Sequence, residues 1–316
     1  MSGLIQLIIA YVVIIAVPAG LVTAVTWLVT RHRNYESNAP ARSAQRHETL
    51  VATLSVLVGI LALAAILGGL ASRYNAWPHP TGTGPLLAAT PFAIAVVYCI
   101  ARLVGEQSWP RPLGEVRVAP VTRRTIFTTG GARLIGLLTT AGLLAVTLIV
   151  TGLTADSSGR ALSAARLEHG ELITTTNSPY PGWYYALPML FGLVLTVVAA
   201  LVTLTFITRR PPLTGLSLAH DEAIRRTSAK RLLAGLQLCL GLALGVVLRF
   251  TGVAIELVAP AWANRAPFPG SGNLLALIGW AIAIGSGVIA LIGFWPHRVP
   301  SRETQATLDL AASIAQ

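Results

Sequence analysis

The chain has 316 residues, of which 54% are hydrophobic and only 11% charged, and a formal net charge of +11. A soluble globular chain carries roughly 25% charged residues, so this deficit argues against a soluble domain and for a polytopic membrane protein. Only two cysteines are present, Cys99 and Cys239, both inside apolar runs, which argues against a disulfide framework or a cysteine metal site.

The first apolar run, span one, is Leu4 to Thr30, followed by Arg31-His32-Arg33 with no basic residue before it. That charge order is the reverse of a cleavable signal peptide, so the run reads as an uncleaved span with its N-terminus outside. As a straight helix it would be about 40 Å long against a hydrocarbon layer of roughly 30 Å. Tilt, or a kink at Pro18, absorbs the excess. Residues 31–48 read as a polar basic loop, and span two runs from Leu50 to Leu70. A short loop with Trp77 leads to span three, Leu86 to Val104. Residues 105–131 form a second basic loop whose prolines forbid a continuous helix. Span four is Ala132 to Leu153, and a polar segment from Ala155 to Gly182 follows. The cluster Tyr180, Trp183, Tyr184 and Tyr185 reads as an interfacial belt opening span five, Tyr185 to Thr208. Residues 209–231 are the third basic loop. In it Asp221 and Glu222 stand four residues before Arg225 and Arg226, which predicts a short charged helix leading into span six, Leu232 to Leu248. Span seven is Leu274 to Trp295, and the tail runs from Pro296 to Gln316.

The loops after spans one, three and five, with the tail, hold 18 of the 23 basic residues; the opposite loops hold four, and Arg249 ends span six. By the positive-inside rule this predicts an external N-terminus, a cytoplasmic C-terminus and seven spans. The basic charge is thus a topology signal that also attracts anionic lipid headgroups, and no nucleic-acid partner is expected. Lys230 is the only lysine, an arginine-for-lysine usage that goes with GC-rich bacterial coding and hence a bacterial plasma membrane.

One signature occurs twice. Pro78 to Leu87 reads PHPTGTGPLL and Pro267 to Leu275 reads PFPGSGNLL. The 20 residues from Leu86 and from Leu274 then agree at eight positions without a gap. Upstream, Ser43-Ala44-Gln45-Arg46 matches Ser228-Ala229-Lys230-Arg231. Spans one to three therefore correspond to spans five to seven, and span four restores the orientation of the second copy. The expected fold is an all-α polytopic membrane helix bundle: two parallel three-helix repeats joined by one linker helix, 3+1+3. Its parts are residues 1–105 (first repeat), 106–182 (cytoplasmic loop, linker helix and external loop) and 183–316 (second repeat and tail).

In topology this plan is similar to the sugar-exporter class of seven-span transporters, a resemblance that implies a solute pathway between the repeats. That family's prolines and its mid-depth asparagines have no counterpart here, Asn273 lying at a span boundary. Gly105 to Pro120, GEQSWPRPLGEVRVAP, resembles a segment of uncharacterised actinobacterial integral membrane proteins and implies no activity.

All six histidines lie in loops or at helix ends, which leaves no axial ligands for a haem inside the spans. No Asp or Glu is expected at mid-depth, which argues against ion-coupled transport. No nucleotide-binding glycine motif, metal cluster or nucleophile with its base is present, so neither a cofactor nor catalysis is expected. The groups able to line a solute pathway are Pro18, Thr90, Pro91, Tyr98, Gln237 and Ser286. Gly241 and Gly245, four apart, suit close helix packing. Trp109, Arg111, Arg123, Arg124, Arg209, Arg210, Arg225 and Arg226 are the candidates for contact with lipid or with a membrane or cytoplasmic protein. The expected function is a non-catalytic scaffold, regulatory or permease-associated component; the alternative is an uncoupled, facilitative small-molecule transporter.

Overall fold

The computed structural model describes residues 39–75, 82–109, 125–169, 171–211, 218–261 and 270–295. Span one with Pro18, the arginines Arg111, Arg123 and Arg124, and the tail lie outside the described residues. In chain order the described elements are α1 (Ala39–Asn75), α2 (Thr83–Gln107), α3 (Ile126–Thr154), β1 (Leu162–Glu168), β2 (Glu171–Asn177), α4 (Trp183–Arg209), α5 (Leu218–Val258) and α6 (Ser271–Phe294). All six helices are long and apolar enough to cross a membrane, the architecture of a mostly helical multi-pass membrane protein.

The helices run alternately up and down, so each end of the bundle gathers the starts of three and the finishes of three. Helix α5 is the pillar. It touches all five other helices and the hairpin, and 61% of its most apolar stretch is buried, against 22% for α6. Leu232, Leu236, Leu240 and Ala243 on α5 are all but fully buried among Leu137, Leu144, Phe92 and Leu204 of its neighbours. Along the α5–α6 seam small residues replace large ones: Gly241, Gly245 and Gly252 face Gly272, Gly279, Ala283 and Ser286. A Cβ on Gly245 would lie 2.6 Å from the Gly279 carbonyl oxygen, so the two backbones meet without intervening side chains.

Local chemistry sets the helix starts. Thr125 and Thr128 form a reciprocal capping box at α3, with Thr128 N donating to Thr125 Oγ1 at 3.2 Å. Gly82 and Gly270, the matched glycines of the two Pro/Gly loops, both occupy the left-handed N-cap position, with φ of 102° and 79°. A side chain is strained there, which is why both loops carry glycine at that point.

Three sequence expectations need correction. First, the chain is not purely helical. The segment expected to be an irregular external loop carries an antiparallel hairpin, registered from Leu162 against Asn177 to Glu168 against Glu171. Ile173-Thr174-Thr175-Thr176 is a β-branched run suited to a strand, and His169, just after β1, has a φ of 53°, the left-handed conformation of a tight turn. Leu162 and Ala164 anchor it against Ala254, Val258 and Ala261 near the end of α5. Second, α1 begins at Ala39, within the segment read as a polar loop. Third, the segment 209–231 read as the third basic loop is helical from Leu218, where the charged helix expected to lead into span six forms the first turns of α5, 41 residues long. Pro40 sits in the first turn of α1, where proline is tolerated, and neither extension holds a Pro or Gly beyond that turn; both turn polar side chains inward.

Candidate functional site

Seven charged side chains are buried at one end of the bundle: Glu48 at the start of α1, Arg102 and Glu106 at the end of α2, Arg210 just after α4, and Asp221, Arg225 and Arg231 at the start of α5. In one group Glu48 Oε1 accepts from Arg102 Nη2 at 3.2 Å and from Arg231 Nη1 at 3.4 Å. The other Glu48 oxygen accepts from the Ser228 hydroxyl. Arg102 Nη2 also donates to the Ser228 carbonyl at 2.9 Å, and the Tyr98 hydroxyl donates to the Arg231 carbonyl at 3.0 Å.

In the second group Glu106 Oε2 accepts from Trp109 Nε1 at 3.0 Å and from Arg210 Nη1 at 3.3 Å. The Arg210 guanidinium lies over the Trp109 ring, 4.1 Å from its centroid, and His47 meets that ring at 4.3 Å. Arg225 Nε donates to Asp221 at 2.8 Å, and Arg225 Nη1 to the carbonyls of Ile207 and Thr208 at 3.1 and 3.3 Å, tying α5 to the end of α4. Burial pulls the Arg210 guanidinium below its usual pKa, while Glu106, Asp221 and Glu48 push it back up. Glu48 and Asp221 both act on Arg210, so the two groups share one field. Four helices are thereby locked at this end by charges that are costly to separate.

At the opposite end lies an apolar cavity of about 220 Å³. Gly84, Leu87 and Pro91 of α2, Tyr185 and Met189 of α4, and Val247 and Phe250 of α5 form its walls, with Pro179 to Pro181 as a rim after the hairpin. The Tyr180 hydroxyl pairs with Thr154 Oγ1 at 2.7 Å, and burial raises the pKa of that phenol. The cavity presents almost no polar surface.

The residues read as pathway candidates do not converge. Pro91 lines the cavity. Thr90 donates back to the Leu86 carbonyl at 3.0 Å within its own helix. Tyr98 belongs to the charged network, 3.0 Å from the Arg231 carbonyl. Gln237 Nε2 donates to Thr140 Oγ1 at 2.8 Å, a bond between α5 and α3 halfway along both. Ser286 is buried against Gly241 in the α5–α6 seam, and Gly245 packs in the same seam. Of the described basic residues read as contact points, Arg209 and Arg226 are exposed, whereas Arg210 and Arg225 are buried and engaged with the chain's own carboxylates. Trp109 is buried as well, under Arg210.

Sequence reading missed Glu48, Ser228, Arg231 and Arg102 as one cluster. The available signal was a lone acid at the threshold of span two and an arginine inside the last turns of span three. Compared with known protein families, curated proteins and solved structures, the chain matches none.

Proposed function

We propose that this chain is a non-catalytic component of a bacterial plasma membrane, a scaffold, regulatory or permease-associated subunit, with its arginine-rich end in the cytoplasm and its hairpin outside. One observation carries the reading: uncharged polar groups at mid-span are bonded within the chain. Gln237 is bonded to Thr140, Thr90 to Leu86 and Thr203 to Ala199. Among the described residues that line the apolar cavity there is no carboxylate or imidazole, so no acid/base pair stands in it. Large apolar side chains cover the outside, among them Phe191 and Val198 on α4, Ile149 on α3 and Ile284 on α6, a surface suited to lipid or to a membrane partner. The exposed Arg209 and Arg226 suit anionic headgroups or a cytoplasmic protein.

The 3+1+3 duplication belongs to the same reading. Gly82 and Gly270 support it by sharing a left-handed cap, as do Gly105 and Gly293, matched in sequence, each pressed onto the preceding helix of its own pair, at Val51 and at Ala234.

The apolar cavity favours a second reading, an uncoupled transporter. It stands between α2, α4 and α5, opposite an end sealed by ion pairs, the arrangement of one state in alternating access. Uptake by vesicles containing the purified chain separates the two. The scaffold reading expects solute flux no greater than in empty vesicles. Saturable flux that is lost in Gly84→Trp, which fills the cavity, would establish transport instead.

A further inference from the structure

The buried charges at the arginine end do not balance. Arg102, Arg210, Arg225 and Arg231 face Glu48, Glu106 and Asp221, and these seven are the only buried charged residues among the described ones. One positive charge is in excess, in surroundings that solvate it poorly. The guanidinium donors are also incompletely used. Among the described residues Arg102 Nε and Nη1, Arg231 Nε, Arg210 Nε and Arg225 Nη2 are buried and find no hydrogen-bond partner, although Arg102 is fully buried and Arg231 is 5% exposed. Arg102 and Arg231 converge on a single oxygen of Glu48, so their unused donors belong to two guanidiniums held side by side. Unmatched arginine donors together with unmatched positive charge are what a tetrahedral oxyanion supplies with acceptors and charge.

We propose that the arginine end is a phosphate-binding site. Arg102 and Arg231 are its principal donors, and the ligand is a phosphate group, either of an anionic lipid headgroup at the level of these helix ends or of a free phosphate. Glu48, shared by both arginines, partly occupies the place of that anion. The site is separate from the exposed Arg209 and Arg226. It does not depend on the scaffold reading, which rests on the satisfied interior and stands if phosphate fails to bind.

The full chain in nanodiscs of zwitterionic lipid is unfolded thermally against inorganic phosphate, with chloride at equal ionic strength as the blank. In a second series phosphatidylglycerol replaces part of the lipid. A raised midpoint with inorganic phosphate identifies a free anion, and a rise only with phosphatidylglycerol identifies a headgroup; either supports the site. Arg209→Gln with Arg226→Gln keeps the effect. Arg231→Gln weakens binding about tenfold, the worth of one charged hydrogen bond. Glu48→Gln, which frees both guanidiniums, tightens it about tenfold by the same reasoning. If Glu48→Gln folds poorly alone, its folded yield rises with the effective probe. No midpoint change with either probe in the unaltered protein overturns the proposal. So does an effect that disappears in Arg209→Gln with Arg226→Gln while Arg231→Gln retains it.

Discussion

Glu48→Gln in phosphate-free buffer is the most direct perturbation of the buried network. The substitution keeps the side chain's size and removes its charge. Among the described residues Glu48 is the carboxylate that contacts both Arg102 and Arg231, whose side chains are 0% and 6% exposed. Removing one partner of a buried pair costs about 3–5 kcal/mol, because the remaining charge stays buried without compensation. The glutamine carbonyl still accepts one hydrogen bond, which places the expected loss near the lower figure, about 3 kcal/mol. The comparison is Arg226→Gln. Arg226 and Glu222 also pair four apart on α5, at 3.1 Å, but with side chains 67% and 30% exposed. An exposed pair contributes roughly 0–1 kcal/mol. Equilibrium unfolding in mixed micelles, followed by tryptophan fluorescence, measures both. A Glu48→Gln protein within about 1 kcal/mol of the unaltered chain would show that the network does not hold the bundle end together.

Gly245→Ala drives a methyl group toward the Gly279 carbonyl and the Ala283 side chain, 2.9 Å away, and is expected to cost about 1–3 kcal/mol in the same micelle assay. Gly287→Ala, where an added methyl group would meet no other part of the described chain within 4 Å, should instead stabilise by roughly 0.5–1 kcal/mol. Gln237→Leu removes the bond to Thr140, which keeps its own bond to the Gly136 carbonyl, so the loss should be about 0.6 kcal/mol. The natural cysteines are both buried, so Thr174→Cys on the exposed strand β2 offers a clean label. An impermeant maleimide added to intact cells should modify it; protection until the cells are opened would reverse the proposed orientation. Asp156, hydrogen-bonded first to the Ser158 hydroxyl and then to nearby amides, has its carboxyl pKa lowered from the ordinary 3.8. Its contribution to the turn before the hairpin is present above that ordinary value and is lost as pH falls through the lowered one. The protection of the Ser158 amide, its exchange rate relative to that of a free amide at the same pH, should fall on acidification, and Asp156→Asn should remove the dependence.

The spans were legible because an uninterrupted apolar run leaves a backbone in lipid one self-satisfied solution. The pairs of Asp221 with Arg225 and Glu222 with Arg226 were legible because four residues make one helical turn. The closeness of Gly241 and Gly245 to a neighbouring helix followed from the same spacing. The hairpin was not legible. Seven-residue strands carry little periodic signal, and LSAARLE puts Leu162, Ala164, Arg166 and Glu168 on one face and Ser163, Ala165 and Leu167 on the other, so neither face reads as apolar. The network was hidden for another reason: Arg102 and Glu48 are 54 residues apart, and Arg231 and Glu48 183 apart. No local spacing links residues that meet only when the helices pack.

The burial of four arginines changes the meaning of the charge count. Loop arginines orient the spans while the chain is being inserted, before the helices have packed against one another. Afterwards each is free to take another role. Arg209 and Arg226 remain at the surface and can still meet headgroups, but Arg102, Arg210, Arg225 and Arg231 are withdrawn into the bundle end. An Arg→Lys exchange separates the two roles. Lysine carries the same charge during insertion, yet it cannot span Asp221 and two carbonyls as the Arg225 guanidinium does. Arg225→Lys should therefore leave the membrane orientation intact while lowering stability by about 1.5–3 kcal/mol, the value of a charged hydrogen bond lost in a buried place. Arg226→Lys should change neither. Equal stability of the two lysine variants would mean that Arg225 serves topology alone.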